Sequence, residues 1–154
     1  MDKKRLEVLL EIIEEMDDRL DKITSKKLQL KKWGLTGEKL FSFGEECEEC
    51  QQQFTNLENH VMKLNSIGSV IDESDVKVHR SILKNALSHL EKKHKVVAEG
   101  YYLSIYMSIG MSLGVVFGLT VFDNIALGIP LGLSIGLAIG AGLDADAKKK
   151  GLVI

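Results

Sequence analysis

The sequence predicts an all-α protein, with an N-terminal helical coiled-coil bundle of about three helices followed by a two-helix transmembrane hairpin. Between Gly100 and Leu143 the only charged residue is Asp123, and glycine recurs there at every fourth position in two runs. Before this stretch, apolar residues recur with the heptad spacing of packed helices. We therefore divide the chain into a cytosolic helical domain, residues 1–99, and a glycine-rich hairpin with a basic C-terminal tail, residues 100–150.

The first predicted helix has apolar residues at alternating heptad positions, and acidic residues between them form a solvated face. The apolar positions are Leu6, Leu9, Ile13, Met16, Leu20 and Ile23. Gly34 and Gly37 are expected to end this helix, since glycine favours the position after a helix C-terminus. The basic run from Lys26 to Trp33 is interpreted as a solvated helix end. The alternative is contact with anionic lipid headgroups.

The second and third predicted helices complete the bundle. An a/d pattern extends over nearly four heptads, through Leu40, Phe43, Cys47, Cys50, Phe54, Leu57, Val61 and Leu64. The third helix is expected to begin around Asp72 to Asp75, where several side chains could serve as N-cap. With no helix breaker before Phe122, it is expected to continue directly into the membrane.

Two apolar segments form the predicted hairpin. Gly100 to Phe122 and Ile125 to Leu143 would measure about 34 and 28 Å as helices, close to the roughly 30 Å of a bilayer core. Asp123 and Asn124 suit the tip between them, because their side chains bond local backbone and favour turns.

The recurring glycines predict close helix packing. In lipid, helices associate through small residues that let backbones approach. We therefore assign helix packing and oligomerisation to Gly110, Gly114, Gly118, Gly128, Gly132, Gly136 and Gly140. A second small row on each helix comprises Ser104, Ser108 and Ser112, and Pro130, Ser134, Ala138 and Gly142. One face would close the hairpin and the other would meet a neighbouring copy, which predicts a homo-oligomer.

The order of these residues resembles a known architecture. Gly-Met-Ser-Leu-Gly-Val-Val-Phe-Gly at 110–118, the Asp-Asn tip and the glycine repeat of 128–142 are similar to the glycine-zipper transmembrane hairpins of small bacterial and archaeal proteins. The resemblance covers about residues 100–150 and implies an architecture, with no activity attached. Some bacteriocins and pore formers have similar zippers, so the resemblance keeps a pore among the alternatives.

Charge placement predicts the membrane orientation. Lysines at 92, 93 and 95 precede the first span, lysines at 148–150 follow the second, and the tip has none. By the positive-inside rule both termini would be cytoplasmic in a multi-pass protein of the cell (inner or plasma) membrane. The chain opens with a charged amphipathic helix and not with a signal peptide. In the reducing cytoplasm, a structural disulfide between the two cysteines is not expected.

The candidate chemistry is sparse. Cys47 and Cys50 form a Cys-x-x-Cys motif, which could be half a zinc site or a redox pair. Both lie on the a/d pattern, and we find no matching ligand spacing among His60, His79, His89 and His94, so core packing is the preferred interpretation. The histidines are expected at helix surfaces or bundle edges. Glu99 and Asp123 lie at the edges of the spans. We expect no metal, no cofactor and no catalytic residues.

These observations favour a non-enzymatic integral membrane protein that self-associates through its glycine-zipper helices and presents a cytosolic coiled coil to a protein partner. The formal net charge of −2 argues against a nucleic-acid partner. The alternative is a pore-forming or membrane-permeabilising effector, toxin-like or defence-associated, regulated by its helical domain. A third hypothesis is a plain membrane anchor whose coiled coil is a binding module.

Overall fold

The computed structural model describes residues 2–68 and 71–154 and confirms the all-α class. Within these ranges the helices are α1 (Lys3–Arg19), α2 (Lys22–Leu28), α3 (Leu30–Phe43), α4 (Glu48–Ile67), α5 (Glu73–His94), α6 (Tyr101–Thr120) and α7 (Ile125–Lys149). The chain forms two compact units. One contains the residues up to Val96 together with Ile154, and the other is Val97–Val153.

Helix α1 follows the predicted heptad over most of its length. Its N-terminus is capped by Asp2, whose carboxylate accepts a hydrogen bond from the backbone N–H of Lys4 at 3.0 Å. The side chains of Leu9, Ile13, Met16 and Leu20 are buried. The pattern fails at Ile23, which is 70% exposed, because the chain leaves the helix at Leu20 and α2 begins with a new direction.

The prediction that Gly34 and Gly37 end the first helix is wrong. The break comes earlier, at Gln29, which adopts a left-handed conformation with φ 53°, and both glycines lie inside α3. A Cβ at Gly37 would come within 3.0 Å of the Leu9 side chain on α1. These glycines therefore allow α3 to approach α1 closely. Trp33, a residue of α3, is fully buried, so it is not available to lipid headgroups.

Helix α4 supplies the centre of the first unit. Its buried residues include Cys50, Phe54, Leu57, Val61 and Leu64, as the a/d pattern predicts. The pattern does not run through one helix, since a turn at 44–47 separates α3 from α4 and Cys47 becomes the N-cap of α4. Burying these apolar side chains removes them from water and stabilises a helical bundle.

A part-buried ion pair fastens the start of α1 to α4. The Arg5 guanidinium bonds both carboxylate oxygens of Glu58, donating from Nε at 3.2 Å to one of them, and it also donates to Thr55 at 3.2 Å. Its plane lies over Phe54, with 5.5 Å between the guanidinium carbon and the ring centroid.

Helix α5 begins as predicted and ends earlier than predicted. Asp72 caps it by accepting from the backbone N–H of Asp75 at 2.8 Å. The prediction that this helix runs unbroken to Phe122 is wrong, because Lys95 adopts a left-handed conformation and Gly100 has φ 75°. The Val96 N–H donates a hydrogen bond to the Leu90 carbonyl at 3.2 Å. This bond satisfies a carbonyl group in the last turn of α5.

Helices α6 and α7 form the predicted hairpin. Both are long and apolar enough to cross a membrane. Asp123, with φ 47°, and Asn124, which caps α7 by accepting from the Ala126 N–H at 3.0 Å, make the tip. The outward side chains are large, apolar and exposed, including Val116, Leu119, Leu127, Ile135 and Leu137. A surface of this kind suits lipid and would be unstable in water.

Candidate functional site

The contact between α6 and α7 is made by backbone against backbone. A Cβ added to Gly114 would lie 2.6 Å from the carbonyl oxygen of Gly128, and one added to Gly118 would lie 2.9 Å from the Cα of Ile125. Further along, a Cβ at Gly140 would lie 2.7 Å from the Cα of Leu103. No side chain fits at these positions without separating the helices.

All seven predicted packing glycines lie in this contact and are buried. They are Gly110, Gly114, Gly118, Gly128, Gly132, Gly136 and Gly140. The predicted helix-packing surface is therefore occupied by the hairpin itself. A second copy that used the same glycines would have to open the hairpin first.

The second rows of small residues remain on the outside of the hairpin. Ser104, Ser108 and Ser112 are exposed along α6, and Ser134, Ala138 and Gly142 are exposed along α7. Each serine donates its hydroxyl to the carbonyl four residues earlier, at 2.8 to 2.9 Å on α6 and 2.7 Å from Ser134 to Pro130. Since their hydroxyls are already bonded, these serines present small surfaces that lipid or another helix can contact without an unpaired donor.

The base of the hairpin is closed by polar contacts that the sequence did not reveal. The Asp144 carboxylate on α7 accepts hydrogen bonds from the backbone N–H groups of Tyr102 and Leu103 in the first turn of α6, at 3.1 and 3.0 Å. A carboxylate at a helix N-terminus satisfies free donors and complements the helix dipole. Val97 donates to the Leu152 carbonyl at 2.9 Å and adds a backbone link beyond α7.

Comparison with known families identifies this segment. Residues 97–146 match the glycine zipper membrane protein family. The match covers α6, the tip and most of α7, which confirms the resemblance predicted for this part of the chain. Together with two apolar helices of spanning length, the match supports a membrane protein. Comparison with curated proteins and with solved structures gives no match.

A second cluster lies in the first unit, where α4 begins and α5 ends. Cys47, Cys50, His89 and His94 bring their donor atoms within 4.8 Å of one another. The His89 Nε2 atom lies 3.4 Å from the Cys47 sulfur and 3.3 Å from the Cys50 sulfur, and the His94 Nε2 atom lies 3.3 Å from the Cys50 sulfur. The sequence interpretation related the two cysteines to each other but not to His89 and His94, so it missed this arrangement.

The surroundings of the cluster orient both imidazole rings. The Nδ1 atom of His89 lies 3.1 Å from a carboxylate oxygen of Glu49, and the Nε2 atom of the same ring faces the sulfurs. The Phe43 ring stacks on His94 with centroids 4.1 Å apart. Three segments, the end of α3, the start of α4 and the end of α5, therefore converge on these four donors.

Burial shifts the pKa of two residues in the cluster, Cys50 and His94. It raises the pKa of the Cys50 thiol to about 12, and the neighbouring Cys47 adds to the rise. Burial also lowers the pKa of His94, with a further contribution from His89. These shifts favour the neutral thiol of Cys50 and the neutral imidazole of His94.

The sequence did contain a signal for this site. The spacings Cys-x2-Cys and His-x4-His both fall within the ranges used by zinc-binding Cys2His2 sites. Two histidines five apart do not share a face within a regular helix. His94, however, is the last residue of α5, and both rings reach the same sulfur.

The other two histidines are also placed differently from the prediction. His79 is fully buried and His60 is buried at 7% exposure, so neither lies at a helix surface. The His79 ring stacks on Trp33 with centroids 3.8 Å apart, and its Nε2 atom lies 2.7 Å from the Leu28 carbonyl oxygen. Burial lowers the pKa of His79 to about 4. These two histidines belong to the core.

Proposed function

We propose that this chain is a non-enzymatic integral membrane protein whose hairpin anchors and assembles copies of itself, and whose helical domain presents a cytoplasmic surface to a protein partner. The observation that carries this proposal is that the hairpin has two sets of small residues on two different surfaces. The glycine rows are used between α6 and α7, and the serine-containing rows remain free on the outside.

The glycine contact makes each hairpin a self-sufficient membrane unit. Backbone contact along α6 and α7 holds the helices together without help from another chain, and the Asp144 carboxylate closes the base. Such a hairpin can insert as a monomer and associate in a second step, as membrane helices do.

The outer rows supply the surface for the second step. Small residues allow a neighbouring helix to approach closely, which is the main source of helix association where lipid tails are as apolar as the helices. Ser108 lies in the middle of the α6 row and Ser134 lies in the α7 row. We assign the contact between copies to these rows and the contact within the hairpin to the seven glycines.

The helical domain is suited to binding and not to catalysis. Its core is mainly apolar, and the described buried polar residues are Thr36, Glu58, His60, His79 and His89. Much of its exposed surface is charged. The exposed face of α1 carries Glu11, Glu14, Glu15 and Asp18. We propose that the partner is a cytoplasmic protein that contacts this charged surface.

A pore is less well supported. The two helices of one hairpin pack backbone to backbone and leave no channel between them. A pore would need a ring of copies lined by polar groups, and the outward serine hydroxyls are bonded to their own helices. The pore-forming effector is therefore the second candidate function, and the membrane-potential measurement below tests it.

The proposal is tested by counting copies in membranes. The full chain in lipid nanodiscs is expected to give oligomers by single-molecule photobleaching. Ser108→Leu combined with Ser134→Leu should shift the population to monomers, because leucine keeps the helices apolar and fills the groove. Ser108→Ala with Ser134→Ala is the matched control and should assemble normally, since alanine is small.

Three other results would change the proposal. If the natural chain is monomeric, the hypothesis of a plain membrane anchor would replace this proposal. Normal assembly of the leucine variant would move the contact between copies to another surface. Loss of membrane potential on expression, reported by a dye and abolished by the same leucine changes, would favour the pore.

A further inference from the structure

We propose that Cys47, Cys50, His89 and His94 bind one Zn²⁺ ion as a structural site that clamps the start of α4 to the end of α5. The site is independent of the membrane function proposed above. It rests on four donor atoms of suitable chemistry that converge from two helices distant in the sequence.

The distances are those of a tetrahedral ion. With Zn–S of about 2.3 Å and Zn–N of about 2.0–2.1 Å, a tetrahedron places neighbouring sulfur and nitrogen ligands about 3.5 Å apart. Three of the four sulfur–nitrogen distances between these residues are 3.4, 3.3 and 3.3 Å, and all four donor atoms lie within 4.8 Å of one another. An ion centred among the four donors would therefore need little movement of the side chains.

The donor set selects the metal. Two sulfurs and two imidazole nitrogens form a soft tetrahedral set that suits Zn²⁺, whereas Mg²⁺ and Ca²⁺ require oxygen ligands. Four protein ligands fill the coordination shell and leave no position for water or substrate, which is the composition of a structural zinc site. On binding, each cysteine thiol releases its proton to solvent, and the two thiolates balance the charge of the ion without any change of oxidation state.

The surrounding residues match what a metal-bound histidine needs. The Nδ1 atom of His89 lies 3.1 Å from a carboxylate oxygen of Glu49. A carboxylate beside the outer nitrogen of a metal-bound histidine favours the tautomer that leaves Nε2 free to ligate. Phe43 stacks on His94 and holds that ring in place. His89 and Cys50 are buried and Cys47 and His94 are half-buried, so the ion would be largely shielded from water.

The position of the site gives it a structural role. Cys47 is the N-cap of α4 and provides no side-chain capping hydrogen bond, and His94 is the last residue of α5. An ion here would fix the end of α5 immediately before the segment that leads to α6. Metal would therefore stabilise the bundle at the end nearest in sequence to the hairpin.

The test uses the full chain, purified in detergent without a polyhistidine tag and under reducing conditions. Elemental analysis should find one zinc per chain. Cobalt added to the metal-free protein should give the visible bands of tetrahedral Co²⁺ with sulfur-to-cobalt charge transfer. A strong chelator should lower the melting temperature of the natural protein.

Matched variants separate this site from unspecific binding. Glu49→Gln keeps all four ligands and should weaken zinc affinity by about 10–100-fold. Glu48→Gln, a neighbouring exposed change outside the cluster, should leave the affinity unaltered. Cys50→Ser and His94→Gln should lose the ion, and circular dichroism will show whether each variant remains folded.

Two outcomes would overturn the site. One is a folded, reduced protein that takes up neither zinc nor cobalt. The other is a chain that, as isolated from cells, carries a Cys47–Cys50 disulfide and no metal, which would mark the motif as a redox pair. Equal zinc affinity in the Glu49→Gln and Glu48→Gln variants would overturn the part of the proposal that assigns Glu49 the orientation of His89.

Discussion

The Asp144 carboxylate on α7 bonds the backbone N–H of Tyr102 at 3.1 Å, so one helix of the hairpin caps the other. The same carboxylate takes the N–H of Leu103 at 3.0 Å through its second oxygen. The first N–H groups of a helix have no hydrogen-bond acceptor within the helix. In or near a membrane, little water is available to accept these hydrogen bonds instead. The cap therefore contributes to closing the hairpin as well as to starting α6.

Replacing Asp144 by alanine should destabilise the base of the hairpin by about 1 kcal/mol, the usual size of a capping loss. Hydrogen exchange at the Tyr102 and Leu103 amides should become faster while the middle of α6 is unchanged. Asp146→Asn is the control, since Asp146 is exposed and pairs with Lys150 on its own helix. Unaltered exchange at both amides in the Asp144 variant would show that the cap is dispensable.

Gly132→Ala should separate α6 from α7, because a Cβ there meets the backbone of Gly110 and Gly114. Gly142→Ala is the matched control. It adds the same methyl group to the same helix where nothing lies within 4 Å, and it improves helix propensity by up to about 1 kcal/mol. Spin labels on non-natural amino acids at the exposed positions Met107 and Ile139 report the separation. The distance between the two labels should lengthen, and its distribution should broaden, in Gly132→Ala but not in Gly142→Ala. An unchanged distance in Gly132→Ala would contradict the backbone contact.

The hairpin could be predicted from sequence because its rules are local. Length, apolarity and the glycine repeat each follow from the membrane solvent and from helix geometry. What the repeat could not decide is which surface the glycines face, since both hairpin closure and assembly between copies require the same smooth groove. The Asp144 cap was missed because it joins residues more than forty positions apart.

In the bundle, glycine can either end a helix or allow two helices to approach closely, and the sequence alone does not distinguish these roles. Gly34 and Gly37 look like helix ends, and only the presence of Leu10 and Leu9 on the neighbouring helix makes them sites of close approach. The cluster of Cys47, Cys50, His89 and His94 depends on the register of the antiparallel helices α4 and α5, with Cys50 next to His89 at one end and Lys63 near Asp75 at the other. The heptad pattern predicts a helical bundle but not this register, so it does not bring the four side chains together.

Phe54→Ala should destabilise the helical domain by about 3–5 kcal/mol, since Phe54 is fully buried at the centre of the bundle. Ile23→Ala is the contrasting change. The heptad assigned Ile23 to the core, but its side chain is 70% exposed and its removal should cost little. Denaturant unfolding of the full chain, followed by Trp33 fluorescence, measures both. Similar losses in the two variants would mean that Ile23 is also buried in the folded protein.

Both termini are expected to face the cytoplasm, with the tip at Asn124 outside. A cysteine placed at Asn124, in a chain whose Cys47 and Cys50 are serine, should react with an impermeant thiol reagent applied to intact cells. A cysteine replacing Ser74 in the helical domain provides the control and should react only after lysis. Labelling of the two positions in the opposite order would invert the orientation.

Acidification should destabilise the helical domain through His79. Burial keeps this imidazole neutral in the folded protein and lowers its pKa to about 4, whereas an unfolded histidine titrates near 6.5. Below about pH 6.5 the unfolded chain therefore binds a proton that the folded chain does not, and stability falls until the folded histidine is also protonated near pH 4. From pH 7 to pH 5 this single group should remove about 2 kcal/mol of unfolding free energy.

His79→Phe should lose this part of the pH dependence, even if its absolute stability is lower because Leu28 loses a bonding partner. Denaturant unfolding at several pH values measures the slope, and an equal slope in the two proteins would show that His79 is not held neutral by the core.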